Sequence, residues 1–513
     1  MSSLTLNEKG AISFQSTFSP MVDLFGMGLP DFSDMSFEEF HKILEMCHKA
    51  CRANPNDYVK MIKYRRSIKH VGQKMMYYVM MSVIRQYYPN EYVDILMWSQ
   101  SCMKDLLRMA RIFRRFNPAP EIRAYSDKIL KCIKNNVESD MCFKYIGTHH
   151  FEKENQMIRD ELNKKLEAED LPIYTNSTLR KLYSSYKSKL HLADGLLQGV
   201  KEDGEIIVAG HEDQIVNELK KMSSKAFDQM VKTISAFSSE QGYKKVLYQA
   251  CCILKEQVNN KTFSVKATGM NPIKDCYYYF KSDAYNPVLE SMLTTKFNEL
   301  RTRLGGYLSS IDLVIDNSGS MDGEPTQTAF YIGLMLHRLY HLESAVIFNS
   351  TAKRRYISGM TWYDTIKSLY QGVQGSTHLE SVFSHLENNS NTTIIITDGD
   401  CDPLTGGLSP FQVGLERFPC RKFIVWNVKQ KKLHFPYCVA DQRVAYLSGN
   451  EPGLIEAVCK TLQKGTLSPE TVLSTCLEEF QSPVNLSPAN CECRTEHAQT
   501  LYDAIQKNIP NSI

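Results

Sequence analysis

The feature that most constrains the fold is a change of sequence pattern near Gly305. Beyond it, short apolar runs rich in β-branched residues alternate with amphipathic segments of helical periodicity. This alternation is typical of a parallel sheet covered by helices on both faces, and it predicts a doubly wound α/β domain over residues 306–465. The predicted strands are Ile311–Asp316, Ala345–Phe348, Thr392–Thr397, Lys422–Val428 and Val444–Leu447, and the predicted helices lie at 326–341, 361–370, 378–388 and 451–463.

The earlier part of the chain has a helical pattern without clear strands. Ser36 and Glu39 form an S-x-x-E capping box, after which apolar residues recur every three or four positions. The spacing of later helix breakers leaves room for helix pairs, which are typical of a HEAT-like stack. We therefore expect an all-α helical repeat module over residues 36–300. The breakers are Asn54-Pro55, Pro89-Asn90 and Asn117-Pro118.

Three other segments complete the predicted organisation. Residues 1–35 form an N-terminal extension, and residues 466–513 form a C-terminal tail that we expect to be flexible. Between about 150 and 215 a charged helical run, Glu152 to Glu169, leads into a lysine- and serine-rich stretch. This composition predicts an inserted or weakly packed segment.

Composition indicates an intracellular protein. The first ten residues lack the apolar core of a signal peptide, and no apolar run reaches the roughly 18 residues that a membrane-spanning helix needs. Fifteen cysteines, an odd number, are interpreted as reduced thiols. We expect a cytoplasmic location, with the nucleus as the alternative, and no membrane partner.

Positive charge is concentrated in residues 51–150, which hold eighteen Lys and Arg against eight Asp and Glu, although the whole chain has a net charge of only +3. Tyrosines lie among these cations, and phosphate contacts combined with aromatic stacking are what RNA binding requires. The alternatives are a solvated helix surface whose tyrosines are core residues, and a surface for an acidic protein partner. The candidate RNA-binding residues are Lys60, Lys63, Arg65, Arg66, Lys69, Lys74, Arg108, Arg111, Arg114 and Arg115, and the tyrosines are Tyr58, Tyr64, Tyr77 and Tyr78.

Oxygen-bearing side chains follow two of the predicted strands and precede one predicted helix. We expect them at one edge of the sheet, because ligands of such sheets bind beyond the carboxyl ends of the strands. Two carboxylates and three hydroxyls suit Mg²⁺ best, with Mn²⁺ and Ca²⁺ as alternatives, and they disfavour zinc. A hydrogen-bond network without metal is the other interpretation. The five candidate metal-ligating residues are Asp316, Ser318, Ser320, Thr377 and Asp398.

These five residues resemble the metal-ion-dependent adhesion site of von Willebrand factor A domains. Asp316, Ser318 and Ser320 match its D-x-S-x-S signature, Thr377 resembles the threonine of its second loop, and Asp398 resembles the aspartate of its third loop. The resemblance implies a Rossmann-like A domain. We expect the three hydroxyls to hold the cation directly and an open coordination position to take a carboxylate or a phosphate from a partner.

The order of the parts resembles a family that joins a telomerase–Ro–vault (TROVE) helical module to a C-terminal A domain and includes members from large DNA viruses. The motif DNSGSM, the strand VWNV and the later LSGNEP carry this resemblance, together with the basic segment Tyr64–Lys74. It implies a ring or arch of helical repeats that binds small structured RNAs and single-stranded RNA ends.

Two interpretations of function follow, and neither is enzymatic, because the five residues contain no nucleophile paired with an acid or base. The first is an RNA-binding or ribonucleoprotein scaffold with a metal-dependent adhesion site. The second is a protein-interaction adaptor that grips a partner's carboxylate through the metal, without RNA. A zinc site at Cys491, Cys493, Cys476 and His497 is disfavoured, since it lacks a second spaced cysteine pair.

Overall fold

The structure is a computed structural model of the 513-residue chain. The residues that it describes are 4–6, 12–14, 19–26, 32, 35–67, 71–100, 103–134, 151–173, 201–202, 205–206, 212–222, 224, 227–228, 230–231, 243–263, 285–304, 310–369, 373–387, 390–399, 410–428, 443–448, 452–465, 468–490 and 492–507.

The helices are α1 (Pro20–Gly26), α2 (Phe37–Ala53), α3 (Pro55–Ser67), α4 (Val71–Tyr87), α5 (Tyr92–Ser99), α6 (Met103–Ile112), α7 (Ala119–Lys134), α8 (Glu152–Ala168), α9 (Glu212–Lys221), α10 (Tyr243–Asn259), α11 (Pro287–Leu304), α12 (Glu324–Tyr340), α13 (Trp362–Leu369), α14 (Pro410–Arg417), α15 (Pro452–Gln463), α16 (Pro469–Leu477) and α17 (Thr495–Gln506). Short 3₁₀ helices lie at Phe113–Phe116, Gly319–Met321 and Leu379–Ser384. The strands are β1 (Leu4–Leu6), β2 (Ile12–Phe14), β3 (Lys201–Glu202), β4 (Glu205–Ile206), β5 (Ile311–Asp316), β6 (Ser344–Phe348), β7 (Ala352–Tyr356), β8 (Thr392–Thr397), β9 (Lys422–Asn427) and β10 (Val444–Ser448).

The chain divides into two compact units. One, called here the helical unit, comprises residues 18–25, 30–192 and 477–513. The other, called the sheet unit, comprises residues 1–17, 26–29 and 193–476. The helices between 212 and 304, which the sequence pattern assigned to the helical repeat module, therefore group with the sheet.

The sheet unit is built on six strands in the order β10-β9-β8-β5-β6-β7. Five of them are parallel, as the sequence predicts, and all six residues of β5 and of β8 are buried because helical segments cover both faces. On one face α12 packs closely on β5, so that a Cβ at Gly333 would lie 2.6 Å from Ile315 Cδ1. On the other, Phe383 of the 3₁₀ helix contacts Phe423 of β9 edge to face.

The expectation of an entirely parallel sheet is wrong at one edge. Strand β7 runs antiparallel to β6 in a tight hairpin, with Ile347 opposite Lys353 and Val346 opposite Arg354. Its sequence, AKRRY, contains three consecutive cations and no apolar alternation, so it carries no strand signal. Such charge is tolerated because an edge strand is solvated along one side.

The helical unit follows the predicted breaks. The capping box at Ser36 forms as expected, since the Glu39 amide donates to Ser36 Oγ and the Ser36 amide donates to Glu39 Oε2. Helix α2 ends at Ala53 and α3 begins at Pro55, while Asn117, with a φ of 70°, separates the 3₁₀ turn from α7. No helix among the described residues is long and apolar enough to cross a membrane.

The charged run Glu152 to Glu169 is not weakly packed. Helix α8 lies against α7 and α6 and buries Ile158, Leu162 and Leu166 along one stripe. The apolar residues recur every four positions, which is enough for one buried face even in a very polar helix. The rest of the predicted insertion, residues 174–200, lies outside the described residues.

The expectation of a flexible C-terminal tail is also wrong. Helix α17 packs on α2 and α6 and buries Ala498, Leu501 and Ile505. The Tyr502 ring contacts Phe37 and Phe40, with centroids 5.7 and 5.4 Å apart, and its hydroxyl donates to the Met35 carbonyl. The apolar face of α17 therefore makes the end of the chain part of the helical unit's core.

Replacing Leu501 by Ala tests this packing. Leu501 is completely buried, so the loss of its side chain should lower the free energy of unfolding of the helical unit by about 2–5 kcal/mol. Gln499→Ala, at an exposed position of the same helix, is the matched control and should change it by less than about 0.5 kcal/mol. Urea unfolding followed by circular dichroism measures both. Equal, negligible effects would mean that α17 is not docked.

Candidate metal site and basic surface

The loops that carry the five candidate metal-ligating residues meet at the carboxyl edge of the sheet. Asp316 is the last residue of β5, and Asp398 directly follows β8, its parallel neighbour. The strand order reverses between these two strands, which is where open α/β sheets form their ligand crevice. Asp316, Ser318, Thr377 and Asp398 are buried, whereas Ser320 is partly exposed.

Hydrogen bonds fix the orientation of the Asp316 carboxylate. The Ser318 amide donates to Asp316 Oδ1 at 2.9 Å, and Thr397 Oγ1 donates to Oδ2 at 2.6 Å. The hydroxyl oxygens of Ser318 and Ser320 lie 3.1 Å apart. The oxygens of Asp316, Ser318 and Ser320 therefore lie close together in the first loop.

The loop that carries Thr377 is tied to the first loop through backbone atoms. The Gly319 amide donates to the Gly375 carbonyl at 3.0 Å, and the Gln374 amide donates to the Asn317 carbonyl at 3.2 Å. Gly375 has a φ of +80°, and a Cβ there would lie 2.5 Å from Ser350 Oγ, so only glycine fits without strain. This connection holds the second loop close to the D-x-S-x-S loop.

Electrostatics distinguish this edge from an ordinary hydrogen-bond network. Burial, and next the neighbouring Asp398 carboxylate, raise the pKa of Asp316 to about 7. The two buried carboxylates repel each other, and a divalent cation would supply positive charge between them. The donor set of two carboxylates and three hydroxyls fits a hard cation such as Mg²⁺. The residues present therefore fit the metal that the motif implies.

Thr397 and Ser350 support the site, but the sequence did not single them out. Thr397 links Asp316 to the turn that carries Asp398, because its hydroxyl donates to Asp316 and accepts from the Gly399 amide. Ser350, in the hairpin after β6, accepts from the Ser376 amide at 3.1 Å and lies beside the Ser376 hydroxyl. The T-D-G turn contained a signal for Thr397, whereas Ser350 comes from a hairpin that the sequence did not predict.

The structure places several of the predicted RNA-binding cations inside the helical unit. Arg65 is buried and donates to the carbonyls of Leu24 and Phe25 at 2.6 and 3.1 Å. Arg66 is also buried and forms a bidentate ion pair with Asp105, with N···O distances of 2.7 and 2.9 Å. Both guanidinium groups therefore hold helices together and do not form an RNA surface.

Other cations of the set are bonded within the unit but remain nearer to solvent. Lys63 donates to the Trp98 carbonyl at 2.6 Å and lies over the Trp98 ring, and burial lowers its pKa. Lys60 pairs with Asp57 one helical turn earlier, at 2.8 Å. Lys69 and the side chain of Lys74 lie outside the described residues.

The four arginines of α6 and of the 3₁₀ helix that follows it are divided between internal and external roles. Arg111 and Arg114 both pair with Glu154 of α8, whose carboxylate is buried. Arg108 is partly exposed and lies near the buried Tyr78, while Arg115 is exposed. Two of the four arginines therefore neutralise a buried carboxylate, and Arg115 projects into solvent.

The expectation that tyrosines of this block stack on RNA bases is wrong. Tyr58, Tyr64, Tyr77 and Tyr78 are all buried, so their rings belong to the core. The Tyr58 hydroxyl donates to the Met80 carbonyl, and the Tyr77 hydroxyl lies 3.2 Å from Ser99 Oγ. Tyrosine can occupy these positions because its hydroxyl finds an internal partner. The sequence could not decide this, since core and surface tyrosines show the same spacing.

Comparison with known proteins adds one relative of unassigned role. No family model matches the chain. It is 21% identical to an uncharacterised protein of Acanthamoeba polyphaga mimivirus over 562 aligned positions, which cover 98% of this chain and 91% of that protein. The similarity thus extends over both units.

The Asp316→Asn variant tests the electrostatic strain of the metal-free site. The folded-state pKa of Asp316 is raised to about 7 from 3.8, so its carboxylate destabilises the metal-free protein progressively as pH rises from about 4 to 7. Asparagine keeps the shape without the charge. At about pH 8 the variant should be more stable than wild type by roughly 2–4 kcal/mol, and this difference should vanish near pH 4.

The control for this experiment is Asp322→Asn, an exposed carboxylate just after the same loop. It should follow the wild-type pH profile in thermal unfolding. Millimolar Mg²⁺ should raise the melting temperature of wild type and of this control at about pH 8, but not that of Asp316→Asn. A wild-type protein whose stability does not fall between about pH 4 and 7 would contradict the prediction.

Proposed function

We propose that the sheet unit contains a von Willebrand factor A-type domain with a metal-ion-dependent adhesion site, and that the chain is a non-enzymatic binding scaffold. On this proposal the cation is Mg²⁺, held by Ser318, Ser320 and Thr377, with Asp316 and Asp398 supplying negative charge. The observation that carries the proposal is the pair of buried, repelling carboxylates at the reversal of strand order, surrounded by hydroxyl oxygens.

The partner group that suits this site is a carboxylate. Two aspartates balance the charge of one divalent cation, so the site has no large net positive charge. An anionic ligand would therefore bind through direct coordination at an open position of the cation. Gly319 is exposed and Ser320 partly so, which leaves the D-x-S-x-S loop accessible from solvent. The adaptor function, in which an acidic side chain of a protein partner completes the coordination, is therefore the one that the geometry favours.

The helical unit would serve as the scaffold for this site. A HEAT-like, TROVE-type arrangement is our proposal for it, supported by consecutive helices that pack as neighbours: α3 on α4, α6 on α7 and α7 on α8.

RNA binding by the helical unit is the second proposed function, and the solvent exposure of three of its arginines supports it. Arg108 of α6 is partly exposed, Arg115 of the following 3₁₀ helix is exposed, and Arg114 is 43% exposed although it pairs with Glu154. These side chains could contact RNA phosphates without any rearrangement of the helical unit. With the tyrosines buried, such binding would rest on phosphate contacts, which depend strongly on salt.

Binding of a fluorescein-labelled acidic peptide tests the adaptor function. A peptide of alternating Glu and Gly should bind wild-type protein in Mg²⁺ and lose at least about tenfold in affinity in EDTA, because its carboxylate would have lost the cation. Ser318→Ala should reduce binding similarly, while Asp322→Asn should not. Equal affinity in Mg²⁺ and EDTA would argue against a metal-bound carboxylate.

Charge reversal at Arg115 tests RNA binding. Arg115→Glu should weaken binding of a labelled single-stranded RNA and lower the slope of log affinity against log salt by about 1 per lost phosphate contact. Arg111 and Arg114 are unsuitable, because glutamates there would face buried Glu154 and threaten the fold. Arg301→Glu, at an exposed position of α11 in the sheet unit, makes the same change of charge as a control. Identical slopes for all three proteins would rule out Arg115.

A further inference from the structure

The C-terminal strap, defined as residues 478–490 and 492–507, is bonded to the helical unit mostly through its backbone. Asn56 accepts from the Leu486 amide at 2.8 Å and donates to the Leu486 carbonyl at 3.2 Å. The Tyr88 hydroxyl donates to the Ser487 carbonyl at 2.9 Å, and the Tyr87 hydroxyl bonds both the amide and the carbonyl of Glu492. Side chains of the unit thus hold a segment that has few apolar residues before α17.

Three imidazoles lie where this strap meets α2. His41 and His48 are on α2, and His497 is on α17. His48 is only 2% exposed, its ring meets Tyr87 edge to face at 5.5 Å, and neither of its ring nitrogens has a hydrogen-bond partner. Nε2 of His497 has none either, and its ring lies 4.9 Å from that of Phe116. A buried polar group left unbonded needs a physical explanation.

A metal ion does not provide that explanation. Cys493 Sγ lies 3.9 Å from His41 Nε2, but no three His, Cys, Asp or Glu side chains of the described chain are grouped so as to hold an ion. Burial, followed by the nearby Glu45, raises the pKa of the Cys493 thiol to about 11, which disfavours the thiolate that a metal would need. The unbonded nitrogens therefore remain available to protons.

We propose that His48 and His497 form an acid-sensitive latch, which holds the strap on the helical unit while both imidazoles are neutral and releases it when they are protonated. The His48 ring packs against Tyr87 with neither nitrogen bonded, so a proton on it would be a buried charge without an acceptor. A proton on the buried Nε2 of His497, beside Phe116, would lack an acceptor in the same way. Releasing the strap returns both imidazoles to water. Acid then exposes the α2 face that α17 covers at neutral pH.

The charged and titratable groups around His48 and His497 also disfavour protonation of the two imidazoles. His48 faces Arg52 and His41 of its own helix, His497 of α17 and Tyr87 of α4. Arg52, His41 and His497 all lower the pKa of His48 and so disfavour its protonation. His497 faces Arg85 of α4, whose guanidinium is paired with buried Glu121 of α7. Glu45 lies closest to His41, with an N···O distance of 3.7 Å.

The expected size of the effect follows from linkage. Burial, and then the charges named above, lower the pKa of His48 to about 4 from 6.5. A lowered histidine pKa stabilises the docked strap above about pH 6.5, and this contribution is lost as pH falls towards 4. Relative to about pH 7.5, the opening equilibrium of the strap should rise about 30-fold at pH 5 from His48 alone.

Hydrogen–deuterium exchange of the full-length protein tests the latch, after correction for the intrinsic pH dependence of exchange. In wild type, amides of 495–506 should open at least about 30-fold more at pH 5 than at pH 7.5, while those of α7 and α8 change little. His48→Phe keeps the edge-to-face contact with Tyr87 and should remove most of that rise. His337→Phe in the sheet unit, where burial also lowers the histidine pKa, is the matched control and should keep it.

His497→Phe, beside Phe116, is a second variant that should also reduce the rise, so a folding failure of His48→Phe does not leave the latch untested. The proposal is overturned if α17 opens equally at both pH values in wild type. It is also overturned if either folded latch variant retains the full rise of wild type. Protection of α17 by micromolar Zn²⁺ at pH 7.5, lost in His48→Phe, would overturn it in favour of a metal site.

Discussion

The burial of two carboxylates at the reversal of strand order is the constraint on which the sheet unit's chemistry depends. Asp316 and Asp398 end up side by side because β5 and β8 are parallel neighbours whose connections leave in opposite directions. Their repulsion destabilises the metal-free state, and a divalent cation would relieve it. The surrounding apolar strands provide the stability that allows this strain to persist.

The helical unit handles buried charge in the opposite way. Arg66 pairs with Asp105, and Arg111 and Arg114 pair with Glu154, so each of these two buried carboxylates has its counter-ion within the unit. Removing one partner of such a pair leaves an uncompensated buried charge, which is strongly destabilising. Several basic residues of segment 51–150 therefore form ion pairs within the unit, and only the remaining ones can bind a ligand.

The C-terminal strap is held on the helical unit by both apolar and titratable side chains. Its helix is held by ordinary apolar burial of Leu501 and Ile505, yet the contact also includes imidazoles that lack acceptors. Apolar burial is nearly independent of pH, whereas the imidazoles make docking depend on protons. One interface thus combines a constant stabilising contribution with a variable one.

The sequence by itself determined the two kinds of architecture, four of the sheet's helix positions to within a few residues, and the loops that carry Asp316, Ser318 and Asp398. These follow from local periodicity, capping and turn chemistry. Tertiary structure alone decided that β7 adds an antiparallel edge, that α17 docks, and that Tyr58 and Tyr77 are core residues. The physical reason is that the surroundings of a charged edge strand, of a partly polar helix and of a tyrosine are formed by residues distant in the sequence, which local patterns do not reveal. The same holds for Arg65, whose acceptors are carbonyls forty residues away.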